Sequence, residues 1–191
     1  MVRNPERRTA LIDAAIDVLA DEGARGLTFR AVDARAGVPV GTASNYFASR
    51  DDLFTQAGAR IHVRMTPEPA AVETAMRPAP SRELVTELMR WLVQRMSDDR
   101  TGYLAMLELR LEATRRPALR EQLTRTIRAG YDESLAFHLD AGLPGDADTF
   151  LVLYLAMTGV LLEHLTLPGM LSDTTLERMV ESVVTGILPA R

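Results

Sequence analysis

Between Leu27 and Leu53 the chain reads LTFRAVDARAGVPVGTASNYFASRDDL, and its chemistry is concentrated in Thr42, Ser44, Asn45 and Tyr46. These side chains are small or hydrogen-bonding, and Gly41 and Ala43 between them add no bulk. On one short helix they form a surface able to enter a DNA major groove. There it can touch base edges, thymine methyls and phosphates.

The flanking residues read as the elements that would hold this surface. Thr28 caps a first helix that runs to about Ala36, with Leu27 and Val32 spaced as a hydrophobic staple. Gly37 follows its last turn, where a left-handed residue is cheapest as glycine. Pro39 has no N–H to donate, so it belongs at the start of a second helix, Val40 to about Phe47. Ser49 and Asp52 are spaced as a capping box opening a third helix that runs to about Met65. Two short helices joined by a tight glycine-containing turn make a helix-turn-helix. An earlier helix, about Pro5 to Asp21, carries the apolar stripe Leu11, Ile12, Ala15, Ile16 and Leu19 and stops at Gly23.

The helix followed by G-V-P-V-G-T-A-S-N-Y-F-A-S-R-D-D-L resembles the amino-terminal DNA-binding domain of the TetR family of bacterial regulators, over roughly residues 5–65. The resemblance implies an all-α protein. Residues 1–65 would form a three-helix helix-turn-helix domain, and residues 66–191 a larger helical domain for ligand binding and dimerisation. It implies DNA contacts from Thr28, Pro39, Val40, Gly41, Thr42, Ser44, Asn45, Tyr46 and Arg50. In that reading Thr28 and Tyr46 reach phosphates and Thr42, Ser44 and Asn45 face bases or nearby phosphates. Arg50, standing where the family has a lysine, clamps the backbone, and Arg7 and Arg8 lie near it. Phe47 pins the recognition helix from behind. Two departures stand out: Asp33 occupies the place of a small alanine, and Ala43 and Ser44 replace a larger leucine and tyrosine.

The resemblance further implies a double-stranded DNA operator, an unidentified small-molecule effector, and a homodimer formed through the last two helices, about residues 148–188. The effector pocket would be walled by Trp91, Tyr103, Met106, Tyr131, His138, Tyr154 and Met157, with Met96 and Phe137 nearby. The same residues at helical spacing also fit an ordinary core. Glu108 and Glu112, one turn apart, fit a solvated or salt-bridged face better than a ligand anchor.

Periodicity outlines the remaining helices. Pro67, Pro69, Pro78 and Pro80 mark a linker, with room for a short helix at 70–77. Ser81 opens a helix bearing Leu84, Leu88, Trp91 and Leu92, and another covers about Tyr103 to Arg115. Pro117 opens a long helix in which Leu119, Leu123, Ile127, Tyr131, Leu135 and Leu139 recur every four residues until Gly142, Pro144 and Gly145. Residues 150–162, FLVLYLAMTGVLL, are apolar all round and too short to span a bilayer, which predicts burial on every side. The last helix carries Leu176, Met179, Val180, Val183, Val184 and Ile187. Two such helices predict that a second subunit supplies part of the burial.

Composition bounds the alternatives. At 191 residues and 47% apolar content the chain is globular, long enough for one compact domain or for a small head plus a larger body. It has no cysteine, hence no disulfide or thiolate metal site. His62, His138 and His164 lack metal-ligand spacing, and no nucleophile, phosphate-loop or zinc motif occurs. No catalytic residue, metal or cofactor is implied. The amino terminus is an amphipathic helix and not a signal peptide, so a cytoplasmic protein with no membrane partner is expected. Net charge is −4, yet residues 24–50 hold four arginines against Asp33 alone, a local +3. A small basic face on an acidic body suits a DNA reader.

Overall fold

In the computed structural model, residues 4–189 are described, and these contain ten helices and no strand. The chain divides into two compact units. The first comprises the chain up to Thr66 together with Asp99–Arg128, and the second comprises Pro67–Asp98 and the chain from Ala129 onward.

In the first unit, α1 (Pro5–Gly26) starts at Asn4, whose side chain accepts from the N–H groups of Glu6 and Arg7. Leu11, Ala15, Ile16, Val18 and Leu19 are fully buried along one face. The helix breaks at Gly23, where φ is 70°, before a last turn. A Cβ there would come within 3.1 Å of the Glu108 carboxylate, so both the dihedral and the close approach require glycine. α2 (Phe29–Arg35) and α3 (Thr42–Tyr46) form the helix-turn-helix, and α4 (Arg50–Met65) follows at once. Leu27 and Val32, the two staple residues, are both fully buried.

α4 turns Leu53, Phe54, Ala57, Gly58 and Ile61 inward. α7 (Arg100–Ala113) packs against α1 and α4, contributing Ala105 and Leu109, and the first half of α8 (Pro117–Asp140) adds Leu119 and Leu123. Gly58 lets Leu123 approach closely, since a Cβ would meet its Cδ2 at 3.1 Å. Paired hydrogen bonds from Arg60 to Asp13, at 2.9 and 3.1 Å, tie α4 to α1. Arg64 makes a similar pair with Asp99, the cap of α7.

The second unit contains α5 (Pro69–Ala75), the short helix expected in the linker, and α6 (Arg82–Asp98), whose first turn Ser81 caps at the Leu84 N–H. α9 (Ala147–Thr166) and α10 (Asp173–Ile187) pack on each other and on α6. Leu153, Met157, Leu161 and Leu165 of α9 are buried, as are Leu176, Val180 and Val184 of α10. Arg90 reaches Glu177 at 2.8 Å to join α6 and α10.

Three expectations are corrected. α9 is not buried on all sides: Leu151, Val152, Leu155 and Leu162 are exposed, because the neighbours in this chain cover only one face of it. At 20 residues it also exceeds the thirteen-residue apolar run, so by length and composition alone it could cross a bilayer. In α8 a four-residue repeat drifts about 40° per step around a 3.6-residue helix. The stripe that buries Leu119 and Leu123 therefore leaves Leu139 exposed and buries His138 instead.

Candidate nucleic-acid interface

The site is built on α2, the turn after it, and α3. Thr28 caps α2 by accepting from the Ala31 N–H at 3.1 Å. Gly37 has φ of 64°, as its place after the helix requires. The second motif helix is shorter than its sequence suggests. Pro39 to Thr42 form a turn closed by Thr42 N–H donating to the Pro39 carbonyl at 3.1 Å. Gly41, with φ 93° and ψ −2°, takes the third place of a type II turn, where a side chain is disfavoured. Pro39 and Val40 therefore lie in the turn and not in the helix. Val40 is left 78% exposed, an apolar side chain at the tip of the motif.

Along α3 the alternation is clear-cut. Ala43 is fully buried and Phe47 nearly so, while Ser44 and Asn45 are exposed and Thr42 and Tyr46 half-buried. The Thr42 hydroxyl donates to the Pro39 carbonyl at 2.6 Å. The Gly41 carbonyl accepts from both Ser44 Oγ, at 2.8 Å, and Asn45 Nδ2, at 3.0 Å. The outward side chains are thus held in one arrangement before any DNA arrives.

Asp33 explains how so short a helix is capped. Gly41 offers no side chain at the N-cap, and Asp33 of α2 takes over that role. Its Oδ2 accepts from the Gly41 N–H and its Oδ1 from the Ala43 N–H, each at 2.7 Å, and the residue is fully buried. By sequence, Asp33 is only a departure from the family's small alanine. The signal was that it is the one acid among residues 24–50 and sits on an apolar face beside Val32.

Two arginines expected near phosphates turn inward. Arg8 donates through Nη1 to the Tyr46 carbonyl at 3.0 Å and through Nε to Gln56 at 2.9 Å, and lies 5.2 Å over the Phe47 ring. Arg50 donates to the Ala24 carbonyl and lies 5.2 Å over the Phe54 ring. Ala24 lies in the last turn of α1, whose carbonyls have no helical donor, and this gives Arg50 its partner. Arg7 is exposed. The Ser49 cap is as expected, at 3.1 Å to the Asp52 N–H, but Asp52 returns its bond to the Ala48 N–H, at 2.9 Å.

The pocket candidates fall into separate settings. Tyr131 packs on Phe150 at 5.7 Å and edge-on to Tyr154 at 5.2 Å, and His138 lies 5.1 Å from Phe150. His138 is buried and its Nε2 is 2.9 Å from the Pro144 carbonyl, an acceptor only, so that nitrogen carries the proton. Met157 is buried in α9. Trp91 lies 4.7 Å beneath the Arg95 guanidinium, whose pKa burial lowers. Tyr103 and Met106 belong to the first unit, where Met106 packs on the core. Met96 is buried and Phe137 is 40% exposed. A recess of about 540 Å³ bounded by Gly145, Asp146, Thr149, Ile187, Leu188 and Pro189 includes none of them. Glu108 and Glu112 bond within the first unit, to the Ala24 N–H and to Arg116.

Comparison with known proteins accounts for both halves of the chain. Residues 11–57 match the bacterial regulatory proteins of the tetR family, and residues 80–190 match the tetracyclin repressor-like C-terminal domain. The chain belongs to the TetR family. TetR proteins are transcriptional regulators with a helix-turn-helix DNA-binding domain, and they are not enzymes. The multidrug binding protein EbrR, solved with imidazole, is 34% identical, with 98% of each chain covered and a TM-score of 0.71. A TetR family member from Streptomyces coelicolor A3 is also 34% identical, covering 97% of this chain and 99% of its own, again with a TM-score of 0.71. The HTH-type transcriptional regulator BetI of Rhizobium meliloti is 33% identical over 87 residues, which are 45% of this chain and 41% of BetI. This chain therefore spans about two fifths of the length of that curated relative.

Proposed function

We propose that this TetR-family chain is a ligand-responsive repressor that binds a near-palindromic operator as a homodimer in the cytoplasm. The observation that carries the reading is the outward face of α3 and its turn. Val40, Ser44 and Asn45 are exposed there, and the last two are ordered by hydrogen bonds to the Gly41 carbonyl. Thr42 and Tyr46 flank them, Thr28 stands at the start of α2, and Pro39 and Gly41 shape the turn. Charge supports the same division of labour: the first unit has 16 arginines against 12 acids, the second 6 against 14.

Dimerisation is assigned to α9 and α10. Leu151, Val152, Leu155 and Leu162 on α9 and Met179 on α10 are apolar and exposed in one chain. A second copy would remove them from water. Two recognition helices would then meet successive major-groove faces about 34–36 Å apart.

For the effector, EbrR is a relative solved with ethidium, proflavin and malachite green, all aromatic cations. The aromatic group Tyr131, Phe150 and Tyr154 in an acidic unit suits a ligand of that chemistry here. Such a ligand releases DNA only if it prefers the conformation that does not fit both half-sites. By linkage it must bind the DNA-bound dimer more weakly than the free one.

The test is selection of binders from a random duplex pool with purified protein at fixed salt, followed by a screen for compounds that release the selected site. Enrichment of a two-fold-symmetric site and release by an aromatic cation are expected. A protein that enriches nothing refutes the DNA reading, and an effector that binds free and DNA-bound protein equally refutes the switch.

A further inference from the structure

A helix of five residues has too few internal hydrogen bonds to hold itself, so α3 depends on groups outside it. Two side chains grip it from different elements. Asp33, from α2, accepts the Gly41 and Ala43 N–H groups at its N-terminus, both at 2.7 Å. Arg8, from α1, donates to the Tyr46 carbonyl at its C-terminus at 3.0 Å. Gln56 holds Arg8 at 2.9 Å and is itself held by Asp52 at 2.6 Å. An anion at the amino end and a cation at the carboxyl end is also the arrangement the helix dipole favours.

The geometry points to Asp33 and Arg8 as positioning residues that set base preference without touching DNA. The connection to the reading side chains is direct. Asp33 holds the Gly41 N–H, and the carbonyl of that same residue receives Ser44 Oγ and Asn45 Nδ2. A displaced Gly41 therefore moves both outward-facing groups together. Arg8 stops the opposite end of α3 from swinging while lying against Phe47. The cost of ordering the recognition helix is met before binding, so a mismatched base cannot be accommodated cheaply by tilting it. The N–H groups of Gly41 and Ala43 are engaged by Asp33, so they are not the donors that a phosphate would meet.

This inference rests on the DNA reading proposed above, and one experiment separates the two. The parent, Asp33→Asn and Arg8→Gln are taken through the same random-duplex selection. Affinities for the parent's site and its single-base variants are then measured over a range of salt. Asp33→Asn keeps the size of the side chain but replaces one acceptor oxygen with an NH2 group, which cannot accept. In both variants, discrimination at the bases facing Ser44 and Asn45 falls about ten-fold. The salt slope stays at the parent's value, because no phosphate contact is lost. Should Asp33→Asn not fold, Arg8→Gln carries the same comparison. Variants that keep the parent's base preferences and lose only overall affinity overturn the positioning role. A parent that selects no site overturns the DNA reading and this role with it.

Discussion

The guanidinium of Arg50 donates to the backbone carbonyl of Ala24, at the broken end of α1. Glu108 takes the N–H of the same residue at 3.1 Å, so both polar groups of Ala24 are satisfied from other helices. Arg50 and Arg116 each lie 5.2 Å from the Phe54 ring. Arg50→Ala removes this support and is expected to cost about 1.5–3 kcal/mol, the range for a hydrogen bond to a charged group. Thermal unfolding checks the loss, and salt titration of operator binding should keep its slope. A slope reduced by about one, with an unmoved melting temperature, would restore the phosphate-clamping role instead.

Asn45 is exposed on α3 and is tethered through Nδ2 to Gly41. Its Oδ1 can accept from a base edge while the tether holds. Asn45→Ala is expected to relax preference at one operator position by about ten-fold and leave the others intact. Affinities for a set of single-base operator variants decide it. A uniform loss across the set would mean that Asn45 does not read a base.

Leu155 is 59% exposed near the middle of the apolar face of α9. Burying a carboxylate there against a second copy would be costly without a partner charge. Leu155→Glu should sediment as a monomer with unchanged helical content. It should also lose operator affinity, because one head engages only one half-site. A variant that remains a dimer would remove α9 from the interface.

Glu112 receives a hydrogen bond from Arg116, which holds its carboxyl below the ordinary value of 4.5. Arg116 also reaches Asp51 at 2.5 Å, so the pair links α7 to the first turn of α4. A lowered carboxylate pKa stabilises the folded state above the unfolded value, and this is lost as pH falls through the folded one. The difference in melting temperature between parent and Glu112→Gln should therefore be present near neutral pH and close as the pH falls below the ordinary carboxylate range. A difference that persists at low pH would assign the effect to packing.

Much of the fold can be read locally. Thr28, Ser49 and Ser81 are caps because a hydroxyl placed before an apolar-periodic run satisfies an N–H three residues on. Gly23 and Gly37 are stops because only glycine takes those dihedrals cheaply. The motif at residues 27–53 was legible for the same reason, since its spacings are set by hydrogen bonds that span only a few residues. Its family resemblance followed from those residues.

Partners distant in sequence were not legible. Arg8 and Arg50 are cations near a DNA-binding motif, and the family resemblance implies phosphates for both. Their acceptors are backbone carbonyls of Tyr46 and Ala24, 38 and 26 residues away. No periodicity records that such a carbonyl has lost its helical donor. Asp33 looked like a misplaced charge because the N–H groups that justify it belong to a turn eight to ten residues later. The sequence by itself determined the helices, their caps and the presence of a reading motif, since these depend on interactions within a turn or two of chain. Tertiary structure decided which charges face solvent and which are engaged inside. That choice depends on the unsatisfied donors and acceptors that packing brings within reach.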